Sequence, residues 1–377
     1  AMDIPAAQWQ ADRAPRGASI IFVTPESAMT KRFQAYLDGL QALARLDRIV
    51  IDECHTILEG SPRFRPKLRQ LGLLALRGVQ IVYLTATLPI AEEREFLGLV
   101  YTKAKDATIF RAPTTRPNIS YRVVDFPLLP KEGYLQSAEN ALRQLLDSKL
   151  TLYPRPAKAI VYCKTIAITE ALAQALGCDA YYNEVDTRDG KAERLQAWME
   201  GSRETLYGNG RVIVATNALG LGIDIPNIRV IIHLEMPKRL ADYGQQSGRA
   251  GRDGLPSEAI TLRPLQSSTQ EAQSSRFLSI GSREFLSTSQ CRRIALDRAL
   301  DGRASRQVCE AGEEKCDFCL ENLPLTAEEG YALESPEERD LRLRAMQVQQ
   351  MRTAAATRAE REKADFETFQ RLLSQQL

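Results

Sequence analysis

No run of apolar residues in this chain approaches the roughly 18 that a membrane span requires, which excludes the usual helical membrane anchor as an expectation. The opening stretch, AMDIPAAQWQADRAPRG, lacks the basic-then-apolar order of a secretion signal, so an intracellular protein is expected. There is no internal repeat and no low-complexity tract. Charge of either sign is not in excess: 50 Lys and Arg stand against 48 Asp and Glu, a net of +2. A nucleic-acid partner would therefore have to be met by a local basic stripe, not by a basic total. Seven cysteines are present. An odd count in such a chain argues against a disulfide framework and for a metal site. What remains is ordinary: 377 residues, 44% hydrophobic and 26% charged, enough for two or three domains with real cores.

Short apolar runs alternate with helical patterns. ASIIFVTPE, RIVIDE and QIVYLTAT read as strands, and KRFQAYLDGLQAL and PKLRQLGLLALRG read as helices between them. Continuous apolar strands separated by helices predict a parallel sheet covered on both faces. RAPTTRPNIS, with two prolines, reads as a linker, and the pattern then restarts. KAIVYCKT, DAYYNE, RVIVATN and IRVIIHLEMP read as strands, with AITEALAQALG and KAERLQAWMEG as helices. ADYGQQSGRAGRDG begins as a helix and ends in a glycine-rich turn. The expected fold is α/β with two tandem parallel-sheet lobes, the first incomplete, over 1–116 and 117–268. A helical, basic, cysteine-bearing segment follows over 269–322, and a charged helical tail over 323–377, read as a solvated helix.

The chemistry concentrates in three places. RIVIDECHTI ends an apolar strand in two carboxylates, Asp52 and Glu53. Ligands of open α/β sheets sit beyond the carboxyl ends of strands. One carboxylate there can hold Mg²⁺ and a second can orient an attacking water. The letters D-E-C-H alone are read equally well as a polar strand end. QQSGRAGRDG places Arg249 and Arg252 on a turn punctuated by Gly248, Gly251 and Gly254, and paired guanidiniums are suited to clamping phosphate. ATNALGLGIDIPN adds Gly220, Gly222 and Asp224 at a strand end, where the backbone can pass close to a ligand. Third, Cys291, Cys309, Cys316 and Cys319 follow the spacing C-x(17)-C-x(6)-C-x(2)-C, which fits a structural tetrahedral zinc site. Cys163 and Trp198 read as core, and His233 as a satisfied strand histidine in preference to a ligand, while Cys178 has no partner in sequence. Arg63, Arg65, Lys67 and Arg69 read either as a track for a DNA backbone or as a solvated basic turn.

The order TPE, DECH, TAT, IVYCKT, ATNALGLGID and QQSGRAGRDG resembles that of a superfamily 2 helicase. RPNISYRV, GRAGRDGLPSEA and CRR followed by three cysteines resemble the RecQ branch, and the likeness covers roughly 15–322. The resemblance implies RecA-like lobes, ATP with Mg²⁺, a structural Zn²⁺, and 3′-to-5′ unwinding of DNA with a single strand or 3′-tailed duplex as partner. It implies that Asp52 binds Mg²⁺, Glu53 activates water and His55 couples the lobes. It places Thr85 and Thr87 in the motif linking hydrolysis to unwinding. Gly222, Asp224 and Gln245 would line the cleft between lobes, Arg249 and Arg252 would reach the γ-phosphate, and the location implied is the nucleus.

The chain departs from that family at several points. It contains no G-x-x-x-x-G-K-[ST], the loop whose backbone amides cradle phosphates, so the first lobe is expected to begin after that loop. Weak ATP binding and little hydrolysis by this chain alone are the corresponding expectation. After DECH, TILEGSPRFRP offers Phe64 as its one aromatic where RecQ-like proteins carry an aromatic-rich loop. YYNEVDTRDGKAER lacks the family's usual histidine, and no winged-helix module is visible. A catalytically inactive nucleic-acid-binding fragment is therefore the competing reading. An RNA helicase of the same superfamily is disfavoured by the cysteine cluster.

Overall fold

The apolar runs become strands in a computed structural model, and every strand pairing in it is parallel. It describes residues 4–10, 15, 17–60, 65–129, 131–202, 206–207, 210–220, 224–265, 276–287 and 289–322. These fall into two units: 4–114 with Ala299–Gly302, and Thr115–Arg298 with 303–322. The expected helical tail over 323–377 lies outside the described residues.

In the first unit β1 (Ala6–Gln8) pairs with β2 (Ile20–Phe22), and β3 (Arg48–Ile51) with β4 (Gln80–Tyr83). The helix Lys31–Ala42 starts where Thr30 Oγ1 accepts from the Phe33 amide, and it buries Phe33 and Leu37, one turn apart. Trp9 meets the Phe33 ring edge-on at 4.9 Å. Alternation sends Ile21, Ile49, Ile81 and Tyr83 toward this core, which also holds Ile57, Leu68 and Phe96. The other face is apolar but open: Phe22 is 63% and Val50 52% exposed. The segment PKLRQLGLLALRG, expected as one helix, is instead a short α-helix, Pro66–Gln70, continued as a 3₁₀ helix, Leu71–Arg77. The tighter winding seats Gly72 against the Leu99 carbonyl, where a Cβ would come within 2.0 Å.

The second unit contains β5 (Ile119–Phe126), β6 (Lys158–Tyr162), β7 (Asp179–Tyr181), β8 (Val212–Ala215), β9 (Ile228–Leu234) and β10 (Ser257–Pro264). They form one sheet in the order β5-β10-β9-β6-β8-β7. One face is aliphatic: Ala159, Val161, Val214, Val230, Ile232, Ile260 and Leu262 pack under Ala138, Leu142, Leu146 and Leu150 of the helix Tyr134–Leu152. Each of the valine, leucine and isoleucine side chains contributes about 1.5–3 kcal/mol on burial. The other face mixes buried aliphatic residues, among them Ile160, Ile213 and Ile231, with aromatic and polar ones. Tyr162, His233 and Thr261 lie side by side on neighbouring strands, and Tyr243 and Phe285 pack over them.

β5 and β10 carry charged residues among the apolar ones, so a search for apolar runs misses them. On folding these charges pair across the ladder, Arg263 with Asp125 and Arg122 with Glu258. The cysteine-bearing segment covers β5. Asp317 Oδ2 accepts from the Val123 amide at 2.8 Å, Ser120 Oγ donates to the Lys315 carbonyl at 2.7 Å, and Asp317 also holds Arg292.

Candidate nucleotide, metal and nucleic-acid sites

The acidic turn is fixed by two backbone bonds that continue the β3–β4 pairing. Leu84 N donates to the Ile51 carbonyl and Cys54 N to the Leu84 carbonyl, each at 2.9 Å. Cys54 is buried and anchors the turn, and burial pushes its thiol up to about 12, so it stays protonated. Asp52 is exposed, and its Oδ1 accepts from the Glu53 amide at 3.0 Å. Glu53 sits at φ +49, a left-handed conformation that costs a non-glycine residue about 1 kcal/mol or more. His55 Nδ1 lies 3.4 Å from Glu53 Oε2 and 2.9 Å from Thr85 Oγ1. Thr85 Oγ1 in turn accepts from the Thr87 amide at 3.2 Å. Four of the predicted residues, Glu53, His55, Thr85 and Thr87, thus form one connected cluster beside Asp52.

In the second unit the helix Leu240–Ser247 delivers the chain into the arginine-bearing turn. The two arginines differ. Arg249 is buried and hydrogen-bonds the Tyr162 phenol, whose OH also donates to the Leu219 carbonyl. Arg252 is exposed and pairs with Asp224 at 3.0 Å. Gln245 is half-buried, next to buried Gln246. Gly222 lies outside the described residues, as do Arg63 and Phe64. Gly251 has φ +55, and a Cβ there would lie 2.4 Å from Asn118 Nδ2 and 2.5 Å from Ser257 Oγ, so only glycine fits. Gly248, by contrast, has an ordinary helical backbone.

Sequence reasoning gave Arg116 and Asn118 no role: they lie in the segment read as a linker, although RPNISYRV carries part of the RecQ-branch resemblance. Arg116 donates to the Gly248, Ala250 and Gly251 carbonyls at 3.1, 3.0 and 2.6 Å. Asn118 Nδ2 donates to the Gly251 and Leu255 carbonyls, both at 2.8 Å. The available signal was an arginine and an asparagine around a proline, polar side chains with no assigned task.

The sulfurs of Cys291, Cys309, Cys316 and Cys319 lie within 4.8 Å of one another and all four residues are buried. Cys291 Sγ is 3.6 Å from Cys309 Sγ and 3.7 Å from Cys316 Sγ. A tetrahedron with Zn–S bonds of about 2.3 Å has edges of about 3.8 Å, so this donor set fits Zn²⁺. The Cys316 amide donates to Cys309 Sγ and the Cys309 amide to Cys319 Sγ. Hydrogen bonds from Cys291 and then Cys309 hold the Cys316 thiol well below its usual range.

The blander readings also find their places. Cys163 is in the aliphatic core, with its thiol pushed up to about 12 by burial, and Trp198 is fully buried. Cys178 is half-buried beside the same core. His233 is buried with its ring stacked on Tyr162, and burial, only partly offset by Gln246, pushes it down to about 3. Arg65 pairs with Glu26 at 3.2 Å. No helix among the described residues is long and apolar enough to cross a membrane.

Comparison with known proteins agrees with this geometry. A DEAD/DEAH box helicase model matches 4–96, and a model of the helicase conserved C-terminal domain matches 138–254. The chain is 28% identical over 323 residues to the ATP-dependent DNA helicase RecQ of Pasteurella multocida, covering 80% of this chain and 46% of that protein. It is 32% identical over 246 residues to the ATP-dependent DNA helicase Q5 of Rattus norvegicus, covering 63% and 24%. The chain thus spans about half the length, or less, of these relatives. The structure of S. cerevisiae Dbp5 bound to RNA and ADP BeF3 superposes with a TM-score of 0.52 at 17% identity, covering 73% of this chain and 68% of that one, a likeness of fold. RecA-like parallel-sheet lobes, a connected acidic box and an arginine-bearing turn, matched by two helicase models, place this chain among the superfamily 2 helicases, with RecQ-type DNA helicases as its relatives.

Proposed function

We propose that the chain works as part of an ATP-dependent DNA helicase of the RecQ type, moving 3′ to 5′ on a single strand or 3′-tailed duplex in the nucleus. The observation that carries this reading is the hydrogen-bonded run His55–Thr85–Thr87, with Glu53 Oε2 3.4 Å from His55 Nδ1, beside Asp52 at the carboxyl end of β3. Phosphoryl transfer depends on positioning and charge neutralisation, and these residues provide both. Asp52, an exposed carboxylate, suits a hard cation such as Mg²⁺, which supplies charge neutralisation at the phosphates. Glu53 orients the attacking water, and His55 passes its position to Thr85. Thr87 continues that connection. Arg249 and Arg252 clamp the transferring phosphate, and Gly222, Asp224 and Gln245 contact the nucleotide. The four cysteines hold Zn²⁺, which stabilises folding and performs no chemistry.

The division into a first lobe over 1–116, a second over 117–268, a zinc-binding segment over 269–322 and a charged tail over 323–377 belongs to the same proposal. DNA contacts would be mainly to phosphates, so affinity falls with salt and shows little sequence preference.

The test is ATP turnover with and without DNA, together with unwinding of 3′-tailed and 5′-tailed duplexes of DNA and RNA. DNA-stimulated hydrolysis with unwinding of 3′-tailed DNA, abolished by Glu53→Gln, is expected of the helicase this chain is proposed to serve, and only weak ATP binding and little hydrolysis of the chain alone. Salt-dependent DNA binding without turnover even in that helicase would establish the second reading, a nucleic-acid-binding fragment. Preference for RNA would remove the DNA assignment. A thiol reagent should release one zinc per chain, and none released would remove the metal.

A further inference from the structure

The RPN segment, Arg116-Pro117-Asn118, has no task in the proposed reaction, yet its side chains make five hydrogen bonds to the arginine-bearing turn and its exit. A guanidinium presents its donors in a rigid fork, and Arg116 spends that fork on three main-chain carbonyls within four residues: Gly248, Ala250 and Gly251. Asn118 fastens the same turn at Gly251 and at Leu255. Gly251 must be glycine because Asn118 presses on it. Arg116 is itself held from behind. Its carbonyl accepts from Arg293 at 3.0 Å, and Arg293 also donates to the Pro117 and Ile119 carbonyls at 3.3 and 2.8 Å. Arg293 is fully buried, sits over the Tyr121 ring at 5.0 Å, and stands two residues after Cys291.

We infer that Arg116 is the positioning residue of the arginine-bearing turn: its fork sets the backbone path that presents Arg249 inward and Arg252 outward, and Arg293 seats Arg116. Burial lowers the Arg116 pKa but leaves a cation, so its charge adds to the positive field of a turn suited to phosphate. A lysine cannot replace it, since one ammonium cannot span three carbonyls that converge on a planar fork. This inference rests on the proposed ATP hydrolysis only for its effect on rate; the effect on the turn itself stands apart from that reading.

Arg211 is a matched control. It also donates to three main-chain carbonyls, of Leu150, Tyr153 and Ala157, but away from the turn. Arg116→Lys and Arg211→Lys are compared by amide hydrogen exchange and by ATP turnover, with thermal unfolding recorded for both. Arg116→Lys is expected to speed exchange of the amides in 248–254 at least tenfold, where Arg211→Lys leaves them unchanged. It is further expected to lower kcat at least tenfold with KM within about twofold, while Arg211→Lys leaves kcat unchanged. Equal exchange in 248–254 for the two variants overturns the inference, as does equal loss of kcat. If turnover by the unaltered protein is too weak to compare, the exchange comparison alone decides, and the functional reading stands or falls by its own test. If Arg116→Lys does not fold, Asn118→Ala, which removes only the two bonds to Gly251 and Leu255, gives the same comparison on a milder scale.

Discussion

The two units build parallel strands from the same kinds of residues and treat them differently. In the second unit β6, β8 and β9 are buried from end to end and the sheet is covered on both faces. In the first unit the strands are short and one face shows Phe22 and Val50 to solvent. Parallel sheets are ordinarily covered on both sides. The difference extends to how each site is held, and the acidic box is held by few partners. It depends on the local bonds of Ile51, Cys54 and Leu84 and on the His55–Thr85 contact. The arginine-bearing turn, by contrast, is held by long-range partners spread over the whole second unit.

The largest expected effect tests whether both units serve one reaction. Glu53→Gln and Arg249→Ala should each lower DNA-stimulated ATP turnover by about 10³-fold. If only one of them does, the proposal that Glu53 and Arg249 serve the same reaction is wrong. Stability comes next. Ile232→Ala in the covered sheet should cost about 2–5 kcal/mol in urea unfolding, whereas Val50→Ala on the open face should cost under about 0.5 kcal/mol. Equal costs would erase the contrast between the sheets.

Acid sharpens the same contrast. His233 is neutral when folded, with its pKa pushed down to about 3, while the unfolded chain's histidine takes up a proton below its ordinary 6.5. Stability is therefore full above about pH 6.5 and is lost as pH falls toward about 3, by at most about 1.4 kcal/mol per pH unit. His233→Phe should flatten that slope for the second unit, measured as urea midpoints across pH 4–7, and an unchanged slope would show that other groups dominate. The smallest effect is expected at Phe22→Ser. Stability should move by less than about 0.5 kcal/mol, but light scattering should report less self-association, because an exposed apolar face loses its largest side chain.

Much of this was legible along the chain. The strands RIVI, KAIVY, VIVA and IRVIIHL are apolar runs whose period needs no distant partner to be recognised. The acidic box was legible because its residues follow one strand directly. The four cysteines were legible because thiols crowded into one segment have few other uses. β5 and β10 were not, since Asp125, Arg263, Arg122 and Glu258 interrupt the apolar pattern and become acceptable only when paired. The π-turn Asp297–Asp301 was equally hidden: Asp301 is satisfied by Thr114, 187 residues earlier in the chain.

By itself, then, the amino-acid order determined the chemistry available: two carboxylates after an apolar strand, two arginines on a glycine-bearing turn, four thiols at metal-ligand spacing. These are properties of contiguous residues and their periods. Only the tertiary structure decided that Arg249 is buried while Arg252 is exposed, and that Arg116 grips a turn 132 residues away. The physical reason is that main-chain carbonyls look alike in every sequence. Which of them an arginine meets is settled by the packing of the sheet.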